Sequence, residues 1–538
     1  MSTQSASIGS SARRVTDRFP PTILQEHPQA TVLPIWIGAL LICVLAVLTP
    51  ACSSDFPNEP VRGVTLEASE WPSELAVTDV DTIEIQVRLR DSPENITGLR
   101  VRWKSSDDQV LRVVQLQPPA GASLEDSLLT QRRAEITALS GGSDTVSVLV
   151  EAGGAFEAAE STFVVRVTQK WVTVSAGKTH TCGITIDSLA YCWGEDSDGK
   201  LGRGRPVGSA IPIRVVATDN LRFSTVTAGD ESSCGITTLG LAYCWGLGSE
   251  GRLGNGDPSE RSRLIPAPVS GPAFQALHTG RIGCGITDDF RAECWGSNGE
   301  GQLGVSPFAI PGLSPCLEGI PCSLVPIPVD TTGPRPESYG SVSIGNHHTC
   351  GLSHAPQDGV AFCWGIGVRG ELGNATDPIS PIPIQVTSDQ TFTAISAGGE
   401  HTCALTDSKQ TYCWGANTNG QLGNGTTDDL MIPALTAQPF ESVTTGRHHT
   451  CALTTAGEAF CWGLGSSGQL GNGSVAQQSM PFRVSDVPRF ESVSAGDLHT
   501  CGVAVGGALY CWGEGTAGRL GTGSTANQPT PTRVSEPD

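Results

Sequence analysis

The sequence predicts an all-β protein, a seven-bladed β-propeller preceded by a β-sandwich, and three observations support this prediction. A motif of two cysteines, then "WG" and "GxLG", occurs seven times between Trp171 and the C-terminus, with a period of about 50 residues. Each period contains four strand-like pieces, which is the content of one propeller blade. The 65 glycines and 36 prolines separate short apolar runs, a pattern that favours strands and turns over helices.

Composition excludes some functions and indicates a compartment. The net charge is −21 and the isoelectric point is about 4.9, so the surface repels phosphate backbones. We therefore expect no nucleic-acid partner. Eighteen cysteines are unusual for a reducing cytosol and favour an oxidising compartment.

Residues 1–51 are predicted to be a signal or lipoprotein leader. The apolar run from Ile35 to Leu48 is too short for a spanning helix, which needs about 20 residues. The following "LTPAC" resembles a bacterial lipoprotein processing site, which implies lipidation of Cys52 and a membrane anchor. An uncleaved signal anchor and simple secretion are the alternatives. Residues 52–60 are polar and Pro-containing, as expected for a tether.

Residues 61–168 are predicted to form a β-sandwich of about seven short strands. The segment Thr82–Arg90 alternates polar and apolar residues, as in a half-buried strand. The run "WKSSDDQVLRV", with "AEITALSGG" further on, resembles bacterial immunoglobulin-like domains of group 2, and the resemblance implies that Trp103 is the core tryptophan. A domain of that kind serves as a spacer or an adhesive module, and we favour a spacer.

Residues 171–538 contain the seven repeats. The Pro-flanked runs also number seven, but the first follows the first "GxLG" and the last is Thr530–Val534. From this phase we predict that the chain starts within a blade and that its C-terminal strand pairs into the first blade. Such pairing would close the ring and remove free strand edges.

The motif "GxxHTCALT…G…YCWGxxxxGQLGxG" resembles the regulator of chromosome condensation repeat over the whole 171–538 segment. The resemblance implies a seven-bladed propeller. It also implies nucleotide exchange on a nuclear small GTPase, which we disfavour because an exported, acidic protein would not meet that GTPase.

The repeat cysteines are predicted to form disulfides across a hairpin. In the fourth copy the segment between the two cysteines is three residues longer, yet both cysteines remain, as expected for a hairpin with a variable loop. The predicted pairs are Cys182 with Cys192, Cys234 with Cys244, Cys284 with Cys294, Cys350 with Cys363, Cys403 with Cys413, Cys451 with Cys461 and Cys501 with Cys511.

A metal site is the alternative for these cysteines, because a histidine stands two residues before the first cysteine in five copies. Ser232 and Ile282 replace it in the second and third copies without loss of the cysteines, which favours disulfides. The repeated tryptophans are interpreted as inter-blade core, not as a sugar-binding ring. The "GxLG" glycines are expected in positive-φ turns, with the leucine packed inward.

The third copy differs most from the others and supplies the candidate binding loop. From the last glycine of "GxLG", Gly304, to the next turn glycine, Gly345, the chain takes 41 residues, against 23 to 27 in most copies. The extra segment holds Cys316, Leu317, Glu318 and Cys322, and its two cysteines are predicted to pair. A stapled loop costs less entropy to use as a contact surface. The alternative is a neutral insertion pinned against proteolysis.

The sequence contains no nucleophile elbow, phosphate loop or HExxH motif, so no catalytic, cofactor-binding or metal-binding residue is predicted. The leading hypothesis is a non-enzymatic, monomeric binding scaffold of the cell envelope, anchored by lipid and presenting propeller loops to a protein or glycan. The alternatives are a secreted inhibitor of an extracellular hydrolase and a glycan-active hydrolase or lyase.

Overall fold

The computed structural model describes residues 169–538 apart from 217–220, 260, 307–313, 317–318, 356–357, 486 and 538, together with the backbone of eight earlier strands. The predicted leader, Cys52 and the tether lie outside the described residues. Within the described part of the chain, no helix has the length and apolarity needed to span a bilayer.

The eight earlier strands form two four-stranded sheets, in the orders β1-β3-β6-β5 and β2-β8-β7-β4. The segment predicted to alternate, Thr82–Arg90, overlaps β3 almost completely. In chain order, β1 to β8 are Val64–Ala68, Glu74–Ala76, Val80–Leu89, Arg100–Ser105, Leu111–Gln115, Arg133–Ala138, Gly142–Glu151 and Ala159–Thr168.

The repeat region forms seven antiparallel sheets, one for each copy of the motif. Each sheet is a blade, and we call its four strands a to d in chain order, with a next to the central channel and d on the outer rim. Blade 1 consists of Trp171–Ala176, His180–Thr185, Ala190–Gly194 and Ser209–Arg214; blade 2 of Phe223–Ala228, Ser232–Thr237, Ala242–Gly246 and Arg263–Pro268; blade 3 of Phe274–Thr279, Ile282–Thr287, Ala292–Ser297 and Pro321–Pro328; blade 4 of Tyr339–Ile344, His348–Ser353, Ala361–Ile366 and Ile379–Gln385; blade 5 of Ala394–Ala397, His401–Leu405, Thr411–Gly415 and Leu430–Leu435; blade 6 of Ser442–Thr445, His449–Leu453, Ala459–Gly463 and Gln478–Arg483; blade 7 of Phe490–Ala495, His499–Ala504, Leu509–Gly513 and Gln528–Arg533.

Three short elements lie between these strands. Ser314–Pro315 adds a fifth strand to blade 3 and pairs with the start of its strand d. Short 3₁₀ turns occupy Ser249–Gly251 and Thr516–Gly518.

The prediction that the C-terminal strand completes blade 1 is wrong. That strand, Gln528–Arg533, pairs with strand c of blade 7, and blade 1 has its own outer strand, Ser209–Arg214. Every blade is therefore continuous in sequence. The ring closes by packing of blade 7 against blade 1, with Trp171 and Trp193 in one core cluster with Leu509 and Leu520.

The Pro-flanked runs are the outer strands, and their prolines protect the edges that this closure leaves free. Each strand d carries a proline three residues after the residue that pairs with the "WG" glycine. A proline has no N–H to offer another strand, so edge-to-edge association is blocked at that point. The seven residues are Pro212, Pro266, Pro326, Pro383, Pro433, Pro481 and Pro531.

The cysteines of each repeat lie directly opposite one another on strands b and c. Their Cα atoms are 4.1 Å apart, the close spacing of a cross-strand pair, and the structure joins all seven pairs as disulfides. All fourteen cysteines have 0% exposure. Each such disulfide closes a short loop and adds about 2–3 kcal/mol to the free energy of unfolding in the chain-entropy model.

Candidate binding face of the propeller

Seven turns between strands a and b surround the central opening of the ring. In each blade the first residues of strand b pair with the "WG" end of strand c, as His401 does with Gly415, so the c–d loops lie on the same side as these turns. We call this side the AG-turn face, after its repeated Ala-Gly sequence. A cavity of about 110 Å³ at its centre is lined by the turn glycines Gly177, Gly229, Gly280, Gly345, Gly398, Gly446 and Gly496.

Glycine is required in these turns because neighbouring blades approach closely. A Cβ atom on Gly345 would lie 2.4 Å from the carbonyl oxygen of Gly398 in the next blade. In five seams the residue after the turn glycine also donates its backbone N–H to the next blade's glycine, at 3.1 to 3.3 Å. One of these bonds, from Asp497 to Gly177, links blade 7 to blade 1.

The repeated histidine joins one blade to the next by a hydrogen-bonded relay. In the seam between blades 4 and 5, His348 Nε2 lies 2.9 Å from Thr402 Oγ1, which lies 3.3 Å from the Glu371 carbonyl oxygen. The threonine proton goes to the carbonyl, so the histidine donates from Nε2. The same relay links His180 with Ser233, His401 with Thr450, His449 with Thr500 and His499 with Thr181.

Burial keeps these five imidazoles uncharged. It lowers the pKa of His180, His348, His401 and His449 to about 3, and it lowers the pKa of His499 well below the ordinary value. The described residues contain no group of three or more His, Cys, Asp or Glu side chains arranged to hold a metal ion. These histidines act between blades, a role that the sequence did not indicate.

The repeated tryptophan uses the same carbonyl oxygen, that of the variable residue in "GxLG" of the preceding blade. Trp414 Nε1 donates to the Glu371 oxygen at 2.9 Å, and five other tryptophans make the equivalent bond. The glycines on either side of that motif turn with positive φ, 95° at Gly370 and 68° at Gly373, and Leu372 between them is buried. The tryptophan is inter-blade core, as predicted.

Blade 3 departs from this pattern at three places on the AG-turn face. Ile282 replaces the histidine, and Gly283 replaces the hydroxyl residue that would accept a bond from blade 2. A Cβ on Gly283 would lie 2.2 Å from Trp295, so no side chain fits there. The a–b turn is one residue shorter, with Arg281 alone between Gly280 and strand b. The c–d loop is the long one that contains Cys316 and Cys322.

The candidate binding loop is fixed to the outer strand of blade 3. Cys316 and Cys322 form a disulfide, and both are almost completely buried. Cys322 pairs with Ser297 in the extension of strands c and d, so the loop rises from the AG-turn face. Leu317 and Glu318 lie outside the described residues.

A second cavity, of about 360 Å³ and with charged walls, lies next to the short a–b turn of blade 3. Arg281 and Asn346 line it on the blade 3 and blade 4 side, and Asp230 lines it from blade 2. Burial raises the pKa of Asp230, and the nearby carboxylates of Asp497 and Glu231 raise it further against the opposing Lys178 and Arg281. The sequence argument missed Asp230, Arg281 and Asn346, although each stands directly after the turn glycine of its blade.

A buried lysine on the same face is structural. Lys200 has no exposed side-chain surface and binds Glu195, Glu231 and the Thr179 hydroxyl. Burial lowers the pKa of Lys200, but the hydrogen bonds to the two glutamates outweigh it and raise the pKa overall. A lysine held protonated in this way is a clamp between blades 1 and 2, not a nucleophile.

These observations define the class of the repeat region as a seven-bladed β-propeller with disulfide-stapled blades. Family models for the regulator of chromosome condensation (RCC1) repeat match residues 171–200, 187–236 and 240–286, and the model for the RCC1-like domain matches residues 292–538. The repeat region therefore consists of RCC1 repeats, in agreement with the sequence prediction.

Comparison with known proteins agrees with this assignment. The chain is 29% identical over 241 residues to the ultraviolet-B receptor UVR8 of Arabidopsis thaliana, covering 44% of this chain and 51% of that protein. It is 29% identical over 245 residues to the human E3 ubiquitin-protein ligase HERC2, covering 45% of this chain and 5% of that one. The matched segments thus span about half or less of these relatives.

Two solved structures share the fold. Prp20p from Saccharomyces cerevisiae superposes with a TM-score of 0.56 at 21% identity, covering 66% of this chain and 87% of that chain. Human WBSCR16 gives a TM-score of 0.54 at 18% identity, covering 64% and 89%.

Proposed function

We propose that this protein is a non-enzymatic, extracytoplasmic binding scaffold that holds a protein partner on its AG-turn face, at the sector formed by blades 2 to 4. One observation carries the proposal: the departures of blade 3 from the repeat lie together on one face of the ring. The lost histidine and hydroxyl and the short turn cost inter-blade hydrogen bonds there, and the stapled loop adds surface on the same face. Surface loops held by a rigid scaffold are where binding residues concentrate.

The proposed compartment rests on the cysteines. Eight disulfides join all the cysteines of the described residues, and bonds of this kind persist in oxidising environments. We propose lipidation at Cys52 as the anchor. We also propose an immunoglobulin-like spacer at 61–168, for which two four-stranded sheets provide the strand content of a sandwich.

A protein partner is favoured over turnover of a glycan because the sector carries charges without a catalytic arrangement. The buried lysine of this face, Lys200, is held protonated by two glutamates, and Lys178 on the cavity wall is paired with Glu231. A secreted inhibitor of an extracellular hydrolase would use the same face and is the second candidate. It differs in that the partner is an enzyme that loses activity on binding.

The test is affinity capture with the full chain and a loop-exchange variant. The strand-d position opposite the "WG" glycine is Ser323 in blade 3 and Leu430 in blade 5, so the equivalent loops are residues 305–322 and 424–429. Replacing 305–322 by the sequence of 424–429 removes the stapled loop with the strand extension at Cys322, and leaves the pairing of the outer strand from Ser323 onward intact. We expect capture from envelope extract to fall at least about tenfold.

The matched control places the same sequence in blade 6, at residues 472–477, before Gln478. That variant should capture the partner as the unmodified chain does. Equal capture by the blade 3 variant would refute the proposed site, and the absence of any partner for the unmodified chain would refute the scaffold function.

A further inference from the structure

Arg281 occupies a position that no other blade reproduces. It is the only residue between Gly280 and strand b of blade 3, whereas other blades have two residues in this turn. The shorter turn places its side chain on the wall of the 360 Å³ cavity, where Asn346 and Asp230 also lie. It is half-buried there, with the guanidinium on the AG-turn face.

The other cations around this cavity have carboxylate partners at 3.0 to 3.6 Å. These pairs are Lys178 with Glu231, Arg447 with Asp497 and Arg252 with Glu250. Among the described residues, no carboxylate lies within salt-bridge distance of Arg281. An arginine in a recess without its usual partner leaves several N–H donors to be satisfied from outside.

The single hydrogen-bond partner of Arg281 among the described residues is shared with a carboxylate. Its Nη1 atom lies 3.3 Å from His347 Nδ1, and that same nitrogen lies 2.8 Å from Glu300 Oε2. A carboxylate accepts hydrogen bonds and does not donate them, so Nδ1 carries the proton and donates to Glu300. It then has no lone pair for Arg281, and the guanidinium donors remain unused.

The rest of the cavity wall carries charges that are mostly paired with one another, and an amide. Asn346 contributes an amide on the blade 4 side. Asp230 contributes a carboxyl on the blade 2 side; burial raises its pKa, and the charges of Lys178 and Arg281 act in the opposite direction. Among the described residues, no cation lies within salt-bridge distance of Asp230.

We infer that Arg281 binds a carboxylate of an acidic peptide segment on the partner protein, and that this cavity is the recognition point of the blade 2 to 4 sector. The inference rests on the proposed function. The planar guanidinium matches a carboxylate with two parallel N–H···O bonds, a geometry that a lysine cannot reproduce.

The test uses a capped tetraglutamate peptide with a fluorescent label, titrated against the full chain by anisotropy, with the tetraglutamine peptide as the neutral probe. We expect binding of the acidic peptide alone. Arg281→Gln should weaken it at least about tenfold, and Arg281→Lys should fail to restore it fully. The control is Arg483→Gln on the outer strand of blade 6, which changes the net charge equally and should stay within about twofold.

Equal affinity of wild type and Arg281→Gln, equal loss in Arg483→Gln, equal binding of tetraglutamine, or no binding of tetraglutamate would each overturn the inference. Urea unfolding of each variant shows that the ring is intact. The proposed function fails separately: it is refuted when the unmodified chain captures no protein, even if the acidic peptide binds at Arg281.

Discussion

Two seams of the ring differ in the hydrogen bonds that the same motif positions form between blades. Between blades 4 and 5, His348 bonds to the Thr402 hydroxyl, and Thr402 and Trp414 both donate to the Glu371 carbonyl oxygen, which uses its two lone pairs. Between blades 2 and 3, Ser232 replaces the histidine and has one long contact, 3.4 Å to Thr279. The tryptophan bond is the part of the relay that both seams keep.

The difference separates stability from recognition. Where the relay is complete, the donors and acceptors of the motif form hydrogen bonds with the neighbouring blade. Where blade 3 interrupts it, side chains such as Arg281 are left with unused donors at the channel mouth. The repeated residues hold the ring, and in the proposed function the departures from the repeat provide the surface that discriminates between partners.

The largest expected effect is the response of the complete seams to acid. Their five histidines are neutral when folded, with a pKa of about 3 for four of them, whereas the unfolded chain protonates near pH 6.5. The unfolded state therefore binds more protons between these values, and stability falls as the pH drops below 6.5. The slope reaches up to about 1.4 kcal/mol per pH unit for each histidine.

Urea unfolding at a series of pH values measures this slope. Asp196 has the opposite effect on the slope. Burial raises the pKa of its carboxyl to about 6, so the stability that this group contributes is present at low pH and is lost as the pH rises. His401→Gln isolates one histidine and should reduce the slope by about one proton. A midpoint that does not change between neutral pH and about pH 5 would contradict the neutral relay.

The next largest effect is loss of a tryptophan from a complete seam. Trp462 is fully buried, stacks on Phe440 at 5.5 Å and donates to the Gln421 carbonyl oxygen. Trp462→Ala should cost about 3–5 kcal/mol of unfolding free energy. The control Phe482→Ala lies on the outer strand of the same blade, where the ring is half exposed, and should cost less than about 1 kcal/mol. Similar losses in both would place the core elsewhere.

Sequence periodicity was sufficient for the number of blades, the four strands of each blade and the tryptophan core. It could not fix the phase of the ring. A run such as Thr530–Val534 can pair with the strand before it or with the first blade at equal hydrophobic cost, so the prediction of strand exchange was wrong. Which blade the C-terminal strand joins depends on which strand edge lies nearest to it in the folded chain. The connection from Gly513 to Gln528 is short enough for the strand to return to its own blade.

The candidate site was predictable only in part, for a similar reason. The stapled loop could be predicted from its length, but the role of Arg281 depends on the partners of neighbouring side chains. Its competition with Glu300 for one histidine nitrogen arises between residues 66 and 19 positions away in the sequence. A comparison of the residues that follow each turn glycine would have found the charged side chains around the channel mouth. It would not have shown which of these side chains lacks a partner.

A smaller effect is expected from the hydroxyl of a complete relay. Thr402→Val keeps the shape of the side chain but leaves His348 Nε2–H without an acceptor in a fully buried position. An unsatisfied buried donor costs about 1–3 kcal/mol. Urea unfolding gives the value, and the double variant with His348→Gln should lose less than the sum of the two single changes. Strict additivity would show that the two side chains do not act together.

The smallest effect belongs to the interrupted seam. Ser232→Ala removes a buried hydroxyl whose one contact is the 3.4 Å approach to Thr279, and Gly283 has no side chain to accept a bond in its place. We expect a change within about 0.5 kcal/mol in the same urea measurement. The comparison with Thr402→Val is direct, because both substitutions delete one buried hydroxyl between neighbouring blades. If Ser232→Ala cost as much as Thr402→Val, the blade 2 to 3 seam would be held as firmly as the others, and the argument that blade 3 gives up inter-blade bonds for recognition would lose its energetic basis.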